Sequence, residues 1–345
     1  MFIFIIFFLT IILIGSSYYG VQAMIQTTVE QYTVAYSQIL TAACKAAIDK
    51  GYSNEGSSAE IGTIASDEET RWEMIDAFFN TLSINFSEMK VTDFATNEDG
   101  EMINQSILYK YVPVVLILDK DGFYTWYSEF EYDPSVGTEV LTGKMTTLTT
   151  WSDIITSGPD VYYLRYYMDN YVQVTKNDDE TIYKGTVEEV YSSMGSPAAL
   201  SQYIGTYEIY DSARDTYLAR FVDDYIGYYI NNENKQREWS GNNGSDYELF
   251  TPQISNGDWM EIVESPTVIS FLQGFEIFDG GDKLNVYSYS ASEYAENGTY
   301  YLTSDGLYHS ADCPHLSDTD KTRKYTSRRE LAEMGYDPDH DCLGN

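Results

Sequence analysis

The chain has 345 residues, with 20 Lys and Arg against 54 Asp and Glu and a formal net charge of −34. That balance excludes a phosphate-neutralising surface, so nucleic acid is not an expected partner. A composition of 43% hydrophobic and 15% aromatic residues excludes a disordered chain, and three Cys exclude a disulfide scaffold.

Residues 1–29 carry no charged side chain, and Glu30 is the first. Residues 2–14 are Phe, Ile and Leu, interrupted only by Thr10, and a weakly polar stretch then leads to Val21, Ala23, Met24 and Ile25. A helix over 2–25 is about 36 Å long, enough to cross a hydrocarbon layer of about 30 Å. Tyr18 and Tyr19 would sit near one interface. Two topologies are open. One is an uncleaved single-pass anchor in the cell membrane; the other is a signal peptide cleaved near Ala23, leaving a secreted product. Both place the body outside the cytoplasm. Beyond the apolar run, Val29, Tyr32, Ala35, Tyr36, Ile39, Leu40 and Ala43 recur at three-to-four spacing, so a helix continues to residue 50. Cys44, within that pattern, reads as a small buried helix residue.

An apolar N-terminus running into a long helix and then a sheet-rich body resembles type IV pilins and pseudopilins. The resemblance implies a membrane-anchored structural or interaction protein. It would be a minor pilin-like component of a surface or secretion apparatus, held by protein partners in that assembly.

Residues 51–67, rich in Ser, Gly and Glu, read as a linker. Residues 68–82 predict a helix with Trp72, Ile75, Phe78, Phe79 and Leu82 on one face. Residues 109–118 and 123–128 predict two strands around an Asp119-Lys120-Asp121-Gly122 turn, with Pro113 near the first strand's start. In so acidic a chain the two turn Asp residues read as turn chemistry rather than as metal or acid–base carboxylates. This unit, following a membrane-proximal helix, also resembles extracytoplasmic sensor domains of the Cache/PAS type, which implies ligand binding as an alternative function. Residues 162–175 and 180–183 predict a hairpin about 176–179. A helix is expected over 211–232, a polar loop over 233–246, and strands over 267–278 and 283–289. The body over 51–298 thus reads as α+β with an antiparallel sheet. All three His lie at or beyond residue 309, so no nucleophile in the body has a His partner. A non-enzymatic protein is expected, with an exported hydrolase as a further alternative.

The tail, 299–345, holds His309, Cys313, His315, His340 and Cys342. A strand over 299–303, a turn at 304–306 and a return strand over 307–309 precede a helix opened by a Ser327/Glu330 capping box, faced by Leu331 and Met334 and stopped at Gly335. Such a small ββα unit has a marginal core and needs a metal or a staple. It resembles the small zinc-binding module of the bacterial alkylation-response protein Ada. The resemblance places His309 and Cys313 on the first ligand pair, Cys342 on the last ligand and Asp339 on the third, with His340 one residue on as the chemically better zinc donor. It implies a structural zinc held by His309, Cys313, Cys342 and either Asp339 or His340. Alkyl transfer is not implied, because His309 stands where Ada has its reactive Cys. A Cys313–Cys342 disulfide and a degenerate remnant are the competing readings.

Overall fold

The computed structural model describes residues 2–53, 68–88, 106–135, 137–168, 170–178, 180–239, 249–251, 253–276, 283–291, 299–304, 306–311, 313, 316–317, 323–325, 331 and 336–338; the side chains of 2–23, 25, 52–53, 87–88, 106–107, 139, 237–239, 275–276, 283 and 337–338 lie outside it. The expected linker begins later than residue 51, because α1 continues to Ser53; its remainder, 54–67, and most of the tail helix, including Ser327, Glu330, Met334 and Gly335, fall outside the described residues.

One unbroken helix, α1 (Phe2–Ser53), opens the chain. Among its described side chains the buried positions begin at Tyr36 and continue through Ile39, Leu40, Ala43, Cys44, Ala47 and Ile48. That is the three-to-four spacing of one apolar stripe. Cys44 is fully buried, as expected, and its thiol reaches Ser288 O at 3.6 Å. Among the described residues no helix is long and apolar enough to cross a membrane. Helix α2 (Glu68–Glu88) carries Glu68 and Glu69 in its first turn, where the helix dipole favours them. It lays Ile75, Phe78, Phe79 and Leu82 against α1 and the sheet below. A single turn, α3 (Ser106–Tyr109), leads into that sheet.

Strand β1 (Val114–Asp119) starts directly after Pro113, where a missing N–H costs nothing. Its partners in the sheet are β2 (Gly122–Asp133) and, later in the chain, β9 (Thr267–Glu276). With β3 (Thr138–Met145), the short β4 (Thr149–Thr150) and β10 (Lys283–Ala291), the order is β10-β9-β1-β2-β3, with β4 also on β2. Every residue of β1 is buried. Val115 and Ile117 face the α1/α2 core, while Val114, Leu116 and Leu118 face a second core on the opposite side. The main sheet is therefore covered on both faces, and β1 reads as an apolar run rather than an alternation.

The second core is shared between helices later in the chain and a four-stranded antiparallel meander: β5 (Ser152–Ser157), β6 (Asp160–Tyr166), β7 (Tyr171–Lys176) and β8 (Ile182–Thr186). The expected single run 162–175 is two strands. The chain turns between Tyr166 and Tyr171 because that corner is held from outside. The Tyr210 hydroxyl bonds Tyr171 O at 2.7 Å and accepts from Tyr167 N–H at 3.0 Å, and Arg214 donates to Met168 O at 3.0 Å. The expected hairpin about 176–179 is present as β7 and β8.

Helix α4 (Val187–Ser193) starts at a Thr186/Glu189 capping box. A 3-10 turn at Ala198–Leu200, α5 (Ser201–Ile204) and the long α6 (Tyr207–Trp239) follow. Helix α6 corrects the expected loop from 233 to 239. Glu233 is buried, Gln236 accepts from Phe130 N–H at 3.1 Å, and Asn234 clasps both backbone groups of Leu249 at 2.8 Å. These polar side chains are tertiary anchors, which hydropathy alone reads as loop. Helix α7 (Asn256–Glu264) is capped by Ser255 and buries Trp259, Ile262 and Val263. The tail sheet is β13 (Lys324–Tyr325), β11 (Tyr300–Leu302), β12 (Leu307–Ser310) and β14 (Asp337–Pro338), side by side in that order. The architecture is α+β, and the described strands of the tail form a four-stranded sheet that contains the expected hairpin.

Candidate functional site

In the tail, β11 and β12 form the expected hairpin, with Tyr301 opposite His309 and Gly306 at φ +88° in the turn. Tyr300, Leu302, Tyr308 and Leu331 make its small core, with the Tyr300 and Tyr308 rings edge to face at 5.9 Å. After β12 a turn closes with Cys313 N–H donating to Ser310 O at 3.1 Å. This turn folds the chain back so that Cys313 Sγ stands 3.5 Å from His309 Nδ1, with both residues 6% exposed. On the ring's other side His309 Nε2 meets Thr303 Oγ1 at 3.3 Å.

Tetrahedral zinc ligands at about 2.0–2.1 Å for nitrogen and 2.3 Å for sulfur lie about 3.6 Å from each other. The His309–Cys313 pair therefore has the separation of one edge of a zinc tetrahedron. An imidazole whose outer nitrogen rests on a hydroxyl has the second-sphere support that zinc-bound His needs. Among the described residues Cys313 and Cys44 form no disulfide. Asp339, His340 and Cys342 lie outside the described residues, and so does His315. Among the described residues no three His, Cys, Asp or Glu side chains gather as a metal group. Strand β14 runs parallel to β12 with Pro338 beside Tyr308, one residue ahead of Asp339 in sequence and one behind His309 in register. The tail meets the body through Asn170, whose Nδ2 reaches Tyr336 O at 3.4 Å.

The body carboxylates singled out in the sequence hold the fold together. Asp119 Oδ1 accepts from Lys120 N–H at 2.7 Å, and its carbonyl accepts from Trp151 Nε1 at 3.1 Å. Asp121 pairs with Arg165 at 2.9 Å, and Met168 N–H donates to Lys120 O at 2.9 Å. The β1–β2 turn is thus clamped to the second sheet. Asp178 pairs with Lys176 at 2.7 Å in its own turn.

Sequence reasoning missed an open cleft of about 580 Å³ between α6, α5 and the second sheet. Along α6 it is lined by Glu208, Ser212, Thr216 and Arg220; Asp153 of β5, Tyr166 of β6 and Tyr203 of α5 face them. The i, i+4 spacing of the four α6 positions is a legible stripe, yet nothing in sequence ties it to Asp153 more than fifty residues earlier. Tyr217 bridges the two walls by donating its hydroxyl to Ser152 O. Burial raises the phenols of Tyr166 and Tyr217 well above their ordinary value. Asp153 pushes both the same way, and Arg220 pulls them back.

No protein-family model, no curated protein and no solved structure matches the chain.

Proposed function

We propose that this chain is a membrane-anchored protein with an extracytoplasmic body, a minor pilin-like component of a surface or secretion apparatus. The observation that carries the reading is the division of α1. Its stripe from Tyr36 to Ile48 is core, whereas Met24 and Val34 are 73% and 57% exposed on the same continuous helix. About 50 Å of helix precedes Tyr36 at 1.5 Å per residue, and it ends in the charge-free Phe, Ile and Leu run. Each large apolar side chain there gains roughly 1.5–3 kcal/mol on leaving water. A bilayer, or a bundle of like helices, supplies that environment. The strongly acidic body favours water over an anionic lipid surface. Protease added to intact cells tests the orientation. The body is cleaved while the apolar end is retained and recovered with its assembly; a body protected until the cells are lysed contradicts the reading.

For the tail the reading is one structural zinc held by His309, Cys313, Cys342 and either Asp339 or His340. The 3.5 Å His309–Cys313 separation supports it. Four protein ligands leave no open position, so the ion would serve as a cross-link for a core of four buried side chains.

A further inference from the structure

The cleft beside α6 has charges at its ends and small side chains between them. Glu208 and Arg220 lie three turns apart on one stripe of α6, about 18 Å at 1.5 Å per residue. Ser212, Ala213 and Thr216 line the stretch between, so the helix wall is low there. Half-buried Tyr203 and the edges of the buried Tyr166 and Tyr217 supply the other surfaces, largely apolar. Arg220 is exposed, its guanidinium 5.8 Å from the Tyr217 ring centroid, and among the described residues no carboxylate pairs with it. Asp153 shares that end of the cleft: Tyr217, whose ring lies beside Arg220, donates its hydroxyl to the carbonyl of Ser152, the residue next to Asp153. At the far end the Thr206 hydroxyl donates to Glu208 at 2.8 Å, which keeps that carboxylate ionised and in place. The volume falls within the range of small-ligand pockets, about 300–1,000 Å³.

An occupant must therefore be about 18 Å long, neutral and slender in the middle, cationic at the Glu208 end, and both anionic and cationic at the other. An extended peptide rises about 3.3–3.4 Å per residue, so five residues span the stripe. We propose that the cleft binds a short peptide ending in a basic residue, with its amino terminus at Glu208, its terminal carboxylate on Arg220 and its last side chain on Asp153. A free amino acid is too short to reach both ends. A polyamine lacks the carboxylate that Arg220 calls for.

The test is calorimetric titration of the full chain, in detergent, with the pentapeptide of four alanines followed by lysine. Its C-terminal amide and pentaalanine serve as comparisons. The wild-type chain is expected to bind the acid at least about fivefold tighter than either comparison peptide, the scale of one partly exposed charge-assisted contact. Arg220→Gln abolishes the preference for the free acid, and Asp153→Asn abolishes the preference for lysine. Both positions lie at the surface of the cleft, and Asn retains the acceptor that Asp153 offers to Ile154 N–H at 2.8 Å. An unchanged thermal midpoint in each variant separates lost binding from lost folding. Equal binding of acid and amide, unchanged affinity in Arg220→Gln, a lysine preference that survives Asp153→Asn, or no saturable heat with the wild-type chain would each overturn the proposal.

Discussion

Arg214 is a long cationic side chain left 2% exposed inside the second core. Its guanidinium meets Asp215 at 2.7 Å and Asp211 at 2.6 Å, and it donates to Met168 O at 3.0 Å. Only the corner between β6 and β7 makes it a buried link. Arg214→Met is expected to cost about 3–5 kcal/mol in urea unfolding, because it strands Asp215 in the core. Adding Asp215→Asn recovers part of that loss; equal stability of the single variant and the wild type would contradict the assignment. Tyrosine gives a second residue-scale expectation. Burial raises the phenols of Tyr36, Tyr109, Tyr124, Tyr166 and Tyr217, and pushes Tyr229 up to about 12. A phenol whose folded value exceeds its unfolded value contributes stability that is fully present below pH about 10 and is lost as pH rises through the folded value. Stability therefore falls with pH above about 10, and a fraction of the tyrosinate absorbance appears only together with loss of circular dichroism. A single phenolic step with the fold intact would contradict this.

At the scale of elements, strong local patterns were readable and tertiary ones were not. The β1 run, the Asp119–Gly122 turn, the α2 face and the strands β9 and β10 follow from hydropathy period and turn chemistry. The break in 162–175 and the last two turns of α6 depend on partners far away in sequence, namely Tyr210 and Arg214 in one case and Phe130 and Leu249 in the other. The tail hairpin was legible from its Ser-Asp-Gly turn. Its flanking strands β13 and β14 are two residues each, too short to carry a period. Of the tail site, sequence pointed to His309 and Cys313 only through the resemblance to the Ada module; the turn after β12 that brings them within 3.5 Å is a feature of the folded chain. Metal analysis of the full chain checks the tail reading. One zinc per chain is expected, lost in Cys313→Ser and in Cys342→Ser. A metal-free chain with both thiols oxidised would contradict it.

Across the whole molecule, one long helix is divided in two. Its latter half closes one face of the main sheet, and its leading half carries the apolar run. Hydropathy showed the run and the stripe. It could not show where packing against the body begins, because Ala35 and Tyr36 continue the same period on either side of that boundary. The cleft is a whole-molecule feature for the same reason: β5, β6, α5 and α6 each contribute one wall, and no one segment carries its chemistry.

Membrane fractionation with an alkaline wash measures the anchor directly. The full chain is expected in the washed membrane pellet. Phe7→Lys together with Ile11→Lys is expected to release it, since each cation at the middle of a spanning helix costs about 2.5–3.5 kcal/mol. A wild-type chain found in the soluble fraction, or a doubly substituted chain still held in the pellet, would contradict an anchor formed by α1.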